Sequence, residues 1–376
     1  MTDEHAHPAA AGPEPPVILL TCGDPAGIGP EIVARAWEAT SLHRQARLRV
    51  VADAGHLAAL LAARPALPRL PVTVVSPDDR RDSTGSELLV IDSCTRPGGH
   101  TDAVAPPLGV VSAAGGRAAA AAVEAAFHLV RRGAGQAIVT GPLHKESLHA
   151  AGYDMPGHTE LLARLCGLPD EAASMMLWLP ATEPGRSGLG VVHVTLHESL
   201  RSAVARLSTT GIVDAGRRLA DLLRALLGRP PRIAVAALNP HGGEGGLFGD
   251  EEARIGVPAV GRLAAAGIDV TGPVPADTLF LRASRGAFDG VVALYHDQGH
   301  IPIKLLGMHR AVNVTLGLPL VRTSVAHGTA FDIVGRGVAD PASMLAALDV
   351  ARRLVTGGWP AGVRAASAPS LPRTRR

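Results

Sequence analysis

The sequence predicts an α/β protein built on a largely parallel sheet. Three observations carry this. Short apolar runs recur along the chain, helix-compatible stretches rich in Ala and Leu separate them, and polar clusters follow the runs instead of interrupting them. Residues 17–21 (VILLT) form the first expected strand, stopped by Gly23-Asp24-Pro25. Residues 28–37 read as a helix with Pro30 near its start, where a missing N–H costs nothing. A strand follows at 48–52, then a helix in the Ala-rich stretch after Gly55, then a strand at 88–91. The longest helical stretch is 112–132, ended by Gly133, and it leads into a strand at 137–140. Further strands are expected at 190–194, 233–238, 290–294 and 312–315, with helices between them.

The chain has 376 residues, enough for two domains. Only 3% of residues are aromatic, so the core must be built from Ala, Leu and Val. Its 36 basic and 34 acidic residues nearly cancel, which removes the electrostatic reason to expect nucleic acid or a membrane surface as partner. No apolar run reaches the length of a membrane span, and no signal-like apolar core precedes Pro16. Cys22, Cys94 and Cys166 are widely spaced and odd in number, so no disulfide framework is expected and the cytoplasm is the natural compartment.

In an open parallel sheet, ligands collect at the carboxyl ends of strands. Three histidines stand there by context: His193 after Gly-Val-Val, His241 in Asn-Pro-His-Gly-Gly, and His296 in Tyr-His-Asp-Gln-Gly, each before a turn-like segment. Neutral imidazole suits zinc and other divalent transition metals. Taken singly, each is better read as a polar residue satisfied by hydrogen bonds, since the chain has 16 histidines and no HExxH spacing. Lys145, Lys304 and Arg322 have mostly apolar or Gly/Pro neighbours, where an unpaired charge would be costly, so they are candidate anion contacts. The segment 23–31 (GDPAGIGPE) is a Gly-rich turn between strand and helix but matches neither GxGxxG nor GxxxxGK[ST]. A tight turn before a Pro-started helix explains it at least as well as an anion cradle.

Taken together, GDPAGIGPE (23–31), TGPLHK (140–145), GHTE (157–160), LNPHGGEGG (238–246), GPVPADTLF (272–280), YHDQGHIPIK (295–304), VNVTLGLPLVRTSV (312–325) and HGTA (327–330) resemble the 4-hydroxythreonine-4-phosphate dehydrogenase family, in family order. The resemblance implies a two-domain fold similar to isocitrate and isopropylmalate dehydrogenases, with the active site in the cleft. The expected division is a first domain at 16–140 plus 315–365 and a second at 141–314, with tails at 1–15 and 366–376. It implies a homodimer whose subunits share each site. It implies His193, His241 and His296 as ligands of one divalent ion (zinc, magnesium, manganese or cobalt) and His158, Thr159, Lys304, Asn313 and Arg322 as substrate contacts. Asp277 matches an acidic residue beside the metal, and Asp277 and Lys304 are the candidates for moving protons. NAD or NADP is expected near Gly317, His327, Gly328 and Thr329.

The implied reaction is oxidation of a small phosphorylated hydroxy acid, 4-phosphohydroxy-L-threonine or D-threonate/D-erythronate 4-phosphate, with decarboxylation of the keto acid formed. The forms HDQGHIPIKLLG and HGTAFDI resemble the threonate/erythronate branch more. A relative acting on a cis-dihydrodiol carboxylate, a binding protein that kept the fold without turnover, and a metal-dependent aldolase or hydrolase without NAD are the alternatives. Two departures stand out. Ala326 occupies the position where the family often has Asp before HGTA, and the Pro/Gly-rich segment 181–188 is longer than usual, as a surface loop would be.

Overall fold

Twelve strands form one continuous sheet in the computed structural model, which describes residues 14–94 and 106–359. In chain order they are β1 (Val17–Thr21), β2 (Arg47–Ala52), β3 (Val72–Val74), β4 (Leu88–Asp92), β5 (Ala137–Thr140), β6 (Ser174–Leu179), β7 (Leu189–His193), β8 (Arg232–Ala236), β9 (Asp269–Val274), β10 (Gly290–Ala293), β11 (Val312–Leu316) and β12 (Val321–Val325). Their order across the sheet is β3-β4-β2-β1-β5-β12-β11-β6-β7-β10-β8-β9. The helices are α1 (Gly29–Ala39), α2 (Ala54–Ala62), α3 (Ala113–Arg131), α4 (Lys145–Ala150), α5 (His158–Leu165), α6 (Leu200–Arg206), α7 (Thr209–Leu227), α8 (Val257–Ala265), α9 (Ala276–Ser284), α10 (His296–Gly307) and α11 (Ala342–Thr356). The α/β class expected from sequence is the class found.

The sheet has two parallel blocks, β3-β4-β2-β1-β5-β12 and β7-β10-β8-β9. Between them β11 and β6 make three antiparallel junctions, so the blocks point in opposite directions. Chain connectivity explains the middle: residues 317–320 turn β11 back into β12, and 180–188 turn β6 back into β7, as short connections between neighbours must. Eight of the twelve strands match runs legible in the sequence, while β3, β6, β9 and β12 do not, β6 despite its apolar SMMLWL. β1, β4, β5, β7 and β10 are buried almost throughout, as strands covered on both faces must be. β12 was not expected, because its interior is Arg-Thr-Ser. These residues divide by face. Thr323 donates its hydroxyl to the Ala347 carbonyl of α11 (2.9 Å), while Arg322 and Ser324 point to the other side.

Residues 145–165, placed in the second domain by sequence, fold as α4 and α5 against α3, which itself packs on β1, β2 and β5. α7 and α11 pack on the Thr323 side, α10 on the opposite side against β7 and β10. The expected tails lie outside the described residues except for Glu14 and Pro15. No described helix is long and apolar enough to cross a membrane.

Candidate active site

The opposite face of the central strands carries a row of polar side chains fixed by register. Asn313 pairs with Ser324 and with Leu177, and Val314 pairs with Thr323, so Arg322 falls opposite Thr315. Arg322 is buried and donates to Thr315 Oγ1 (3.1 Å) and Thr140 Oγ1 (2.7 Å). Among the described residues no carboxylate pairs with it. Burial pushes its guanidinium down to about 10, and the charge of Glu160 only partly offsets this. His158, first residue of α5, sits beside it. Burial and then the Arg322 charge hold its imidazole well below the usual histidine range, hence neutral. Thr159 follows in the same first turn. Asn313 gives its Nδ2 to the Val325 carbonyl (3.4 Å).

A cluster of imidazoles borders this row. His193 ends β7 and His296 opens α10, where the sequence had suggested a turn. Gly299 explains the difference: a Cβ there would lie 2.8 Å from Val191 Cγ1 and 3.0 Å from Ala293 Cβ, so glycine lets α10 lie directly on the strands. His300, one turn after His296, stacks on it at 3.8 Å between ring centroids and brings Nδ1 to 3.1 Å from His193 Nε2. His197 completes the group, 5.8 Å from His296. Burial, reinforced by the neighbouring imidazoles, lowers His193 to about 3 and His300 to about 4. His193 and His300 are therefore neutral at physiological pH, the state in which imidazole binds a metal. Sequence reasoning missed His197 and His300; for His300 the helical spacing of four residues from His296 was the available signal, while His197, in the loop after β7, offered none.

A cavity of about 220 Å³ opens between these groups, lined by His197, His296, His300, Lys304, Asn313 and Ala326. Asn313 Oδ1 in its lining is buried without a hydrogen-bond partner, as are His193 Nδ1, Arg322 Nε and His158 Nε2 on neighbouring elements. Native interiors seldom leave such atoms unmatched, and each is a candidate for completion by a ligand.

His241 is not among them. It lies exposed in the loop after β8, with a left-handed φ of 53°, followed by left-handed Gly242 and Gly243. A non-glycine residue in that conformation is strained, and such strain concentrates at functional sites. The loop is held from behind by Glu252, whose carboxylate accepts from Leu238 N (2.8 Å), Asn239 N (2.7 Å) and Asn239 Nδ2 (2.9 Å). Gln298 ties the end of β8 to that of β10, donating to the Ala237 carbonyl and accepting from Leu294 N, both at 2.7 Å. Among the described residues, the ligand atoms of His193, His241 and His296 do not come within 4.8 Å of one another in one chain. Asp277 is exposed near the start of α9, on the His241 side, and accepts from Thr278 N (2.9 Å). The single chain thus presents two half-sites: the imidazole cluster with Lys304, Asn313, Arg322 and His158, and the His241 loop with Asp277. Exposed Leu247 and Phe248 flank the second, and Ile301, Leu305 and Met308 form an exposed stripe beside the first.

The expected cofactor residues also divide. His327, Gly328 and Thr329 follow β12 and pack on the 23–31 segment, where Ile28 N donates to the Thr329 carbonyl (3.0 Å). Gly317 lies at the other end of β12, in the hairpin turn, where a Cβ would run into the Ala172 carbonyl. It has a structural task and does not meet the other three. The segment 23–31 is a packing junction: Asp24 is fully buried, accepts from Ala26 N (3.0 Å), and its own N–H donates to the Pro142 carbonyl (2.9 Å).

An α/β sheet with anion contacts and imidazoles at its strand ends defines the class of site, and comparison with known proteins supplies the family. Residues 44–351 match the family described as pyridoxal phosphate biosynthetic protein PdxA. The chain is 44% identical to the D-threonate 4-phosphate dehydrogenase of Cupriavidus necator, over 91% of this chain and 98% of that one. It is 45% identical to the 4-hydroxythreonine-4-phosphate dehydrogenase of Beijerinckia indica, over 90% and 94%. The crystal structure of 4-hydroxythreonine-4-phosphate dehydrogenase from Klebsiella pneumoniae superposes with a TM-score of 0.76 at 41% identity, covering 92% of this chain and 99% of that one. The chain belongs to the PdxA family. It is an oxidoreductase, a dehydrogenase acting on a CH–OH group.

Proposed function

We propose that the chain oxidises a phosphorylated four-carbon hydroxy acid, D-threonate or D-erythronate 4-phosphate, with NAD or NADP as acceptor and a divalent ion as Lewis acid. 4-Phosphohydroxy-L-threonine is the competing substrate, since relatives at 44% and 45% identity carry the two names. The observation that carries this reading is the buried, unmatched Arg322 Nε and Asn313 Oδ1 on the face that also carries the imidazole cluster: one group to hold an anion, one to orient a hydroxyl, one to hold a cation. Arg322, His158 and Thr159 would grip one anionic end of the substrate, and Lys304 and Asn313 would orient the reacting end. The ion, held by His193, His241 and His296, would supply acidity to the hydroxyl and stabilise charge as carbon dioxide leaves. The nicotinamide would supply the hydride acceptor, and a base would take the hydroxyl proton. The keto acid then loses carbon dioxide, leaving an enolate that takes a proton, with Lys304 and Asp277 as the proton carriers. The cofactor would lie along His327, Gly328 and Thr329. Three free cysteines accord with a cytoplasmic setting.

The two half-sites favour a homodimer with a shared site. His241 and Asp277 of one copy would complete the imidazole cluster of the other, with the exposed apolar residues beside each half buried at the contact. Incubation with each acid, NAD or NADP, and each divalent ion, read by absorbance of the reduced nicotinamide, tests the reaction. Threonate or erythronate 4-phosphate should give the highest kcat/KM; no reduced cofactor from any of the three acids ends the reading. Mixing inactive His193→Ala and His241→Ala proteins tests the shared site. If the two imidazoles come from different copies, random exchange restores about a quarter of wild-type activity; no recovery means one chain supplies both.

A further inference from the structure

At the end of β7 and β10 remote from the histidines lies a second polar centre. β7 separates Leu189 from His193, roughly 13 Å of extended chain. There, Asp289 is fully buried and accepts six hydrogen bonds: from Ser187 Oγ (2.8 Å), Arg229 Nη1 and Nη2 (2.9 and 2.8 Å), and Arg232 N, Nε and Nη2 (2.8, 3.2 and 3.2 Å). A carboxylate offers about four lone-pair positions, so Asp289 has no capacity for another donor.

The arginines around it are in excess. Arg186, Arg229, Arg232, Arg285 and Arg310 all line one cavity of about 300 Å³. Among the described residues the acids bonded to these five guanidiniums are Asp289 and Glu183, the latter paired with Arg186 at 2.8 Å, and Asp269 lies opposite Arg232 in the β8–β9 register. Arg310 gives one N–H to the Pro180 carbonyl (3.2 Å), and no described residue accepts from the Arg285 side chain. Arg186, Arg229 and Arg232 keep 40–45% of their side-chain surface exposed. Arg186 and Arg232 are also anchored on the carbonyls of Ser284 and Gly286, past the last turn of α9. Their forks are thus held in place while other N–H groups stay free, the arrangement in which guanidinium binds an oxyanion with little ordering cost. One wall is the 181–188 segment, the β6–β7 hairpin connection. Nothing in the proposed chemistry uses any of these residues.

We propose that this cavity is a binding site, separate from the active site, for a small polyanion bearing at least two phosphate or carboxylate groups. Its volume admits a metabolite-sized molecule, and fixed guanidiniums on several walls select for more than one anionic group.

Titration calorimetry of the full-length protein with pyrophosphate and, separately, citrate tests this. Ionic strength is matched and EDTA is present throughout, so that neither anion reports on a divalent ion. Saturable binding of either is expected, and the stronger one tells phosphate from carboxylate. Arg285→Ala/Arg310→Ala should weaken it at least about tenfold, a loss of roughly 1.4 kcal/mol, with kcat/KM unchanged, while Arg322→Met should retain it. If the double variant proves unstable, Arg285→Glu alone, at an exposed position, serves instead. No saturation of either anion by roughly 10 mM overturns the proposal. So does binding that is lost in Arg322→Met and kept in the double variant, which would place the anion in the active site. Tighter binding of a short single-stranded RNA, lost in the same double variant, would assign the patch to nucleic acid and overturn it equally.

Discussion

The two ends of β7 and β10 carry the densest buried polar groups of the second block, and they are built on opposite principles. At one end Asp289 is saturated with donors. At the other, His193 keeps an unmatched Nδ1, and nearby Arg322, Asn313 and His158 each keep an unmatched buried atom. Low dielectric strengthens a paired charge and penalises an unpaired one. The saturated carboxylate therefore holds the start of the strands in register, whereas the unmatched atoms cost stability and are tolerated because a ligand completes them. The distinction separates structural from functional polarity without reference to residue type, since both ends use arginine.

Substitution at the two ends should have opposite signatures. Arg322→Met removes the buried cation that has no carboxylate partner. We expect kcat/KM to fall about 10³-fold, near 4 kcal/mol, while Tm stays level or rises, because a desolvated charge has been replaced by an apolar side chain of similar length. A Tm loss comparable to that of a core truncation would show that Arg322 is structural and erase the contrast. Asp289→Asn should do the reverse. Two guanidiniums lose their counter-charge, for which about 3 kcal/mol of unfolding free energy is expected, the low end for a broken buried pair because Arg229 and Arg232 remain nearly half exposed. Its kcat/KM in the still-folded protein should change by less than about threefold. Denaturant titration and steady-state rates on the same preparations give both numbers.

The contrast was half legible in the sequence. Apolar composition placed β1, β5, β7 and β10 to within a residue or so, although β6, as apolar as these, was missed. Strands whose polar residues face a site lack that signal. β12 was hidden because Arg322 and Ser324 look like loop chemistry until the register with β11 puts them on one face. His193 and His296 were readable as candidates because each ends an apolar run. Their partners were not: Gly299 and Pro302 mask the helix that makes the spacing of His300 from His296 meaningful, and His197 lies in the loop after β7, where a four-residue spacing has no helical meaning. Gly317 was drawn into the cofactor group by its motif, although the backbone of Ala172 gives that glycine a purely steric reason. The Asp289 centre left no sequence signal: Ser187, Arg229, Arg232 and Asp289 are far apart in the chain and meet only because parallel strands start at one edge.

The ends should also titrate in different windows. Burial, with the charges of His300, His296 and His197, lowers His193 to about 3. An unfolded histidine protonates near 6.5, so below that pH the unfolded chain takes up a proton that folded His193 refuses, and stability falls as pH drops from 6.5 towards 3. At Asp289 burial opposes ionisation, but the bonds from Arg229, Arg232 and Ser187 outweigh it and hold the carboxyl below its usual range. That contribution is full above the unfolded value near 4 and is lost only as pH falls below it. Between pH 7 and pH 5, then, the histidine end responds and the Asp289 end is silent. With EDTA present, so that no cation competes for the imidazoles, His193 should account for about 2 kcal/mol of lost unfolding free energy across that interval. Replacing it by Asn should flatten the slope by that amount, and Asp289→Asn should leave the slope alone while lowering the whole curve. If the His193→Asn and wild-type slopes coincide, the imidazole is not held neutral by the fold, and the case for it as a ready metal ligand loses its physical basis.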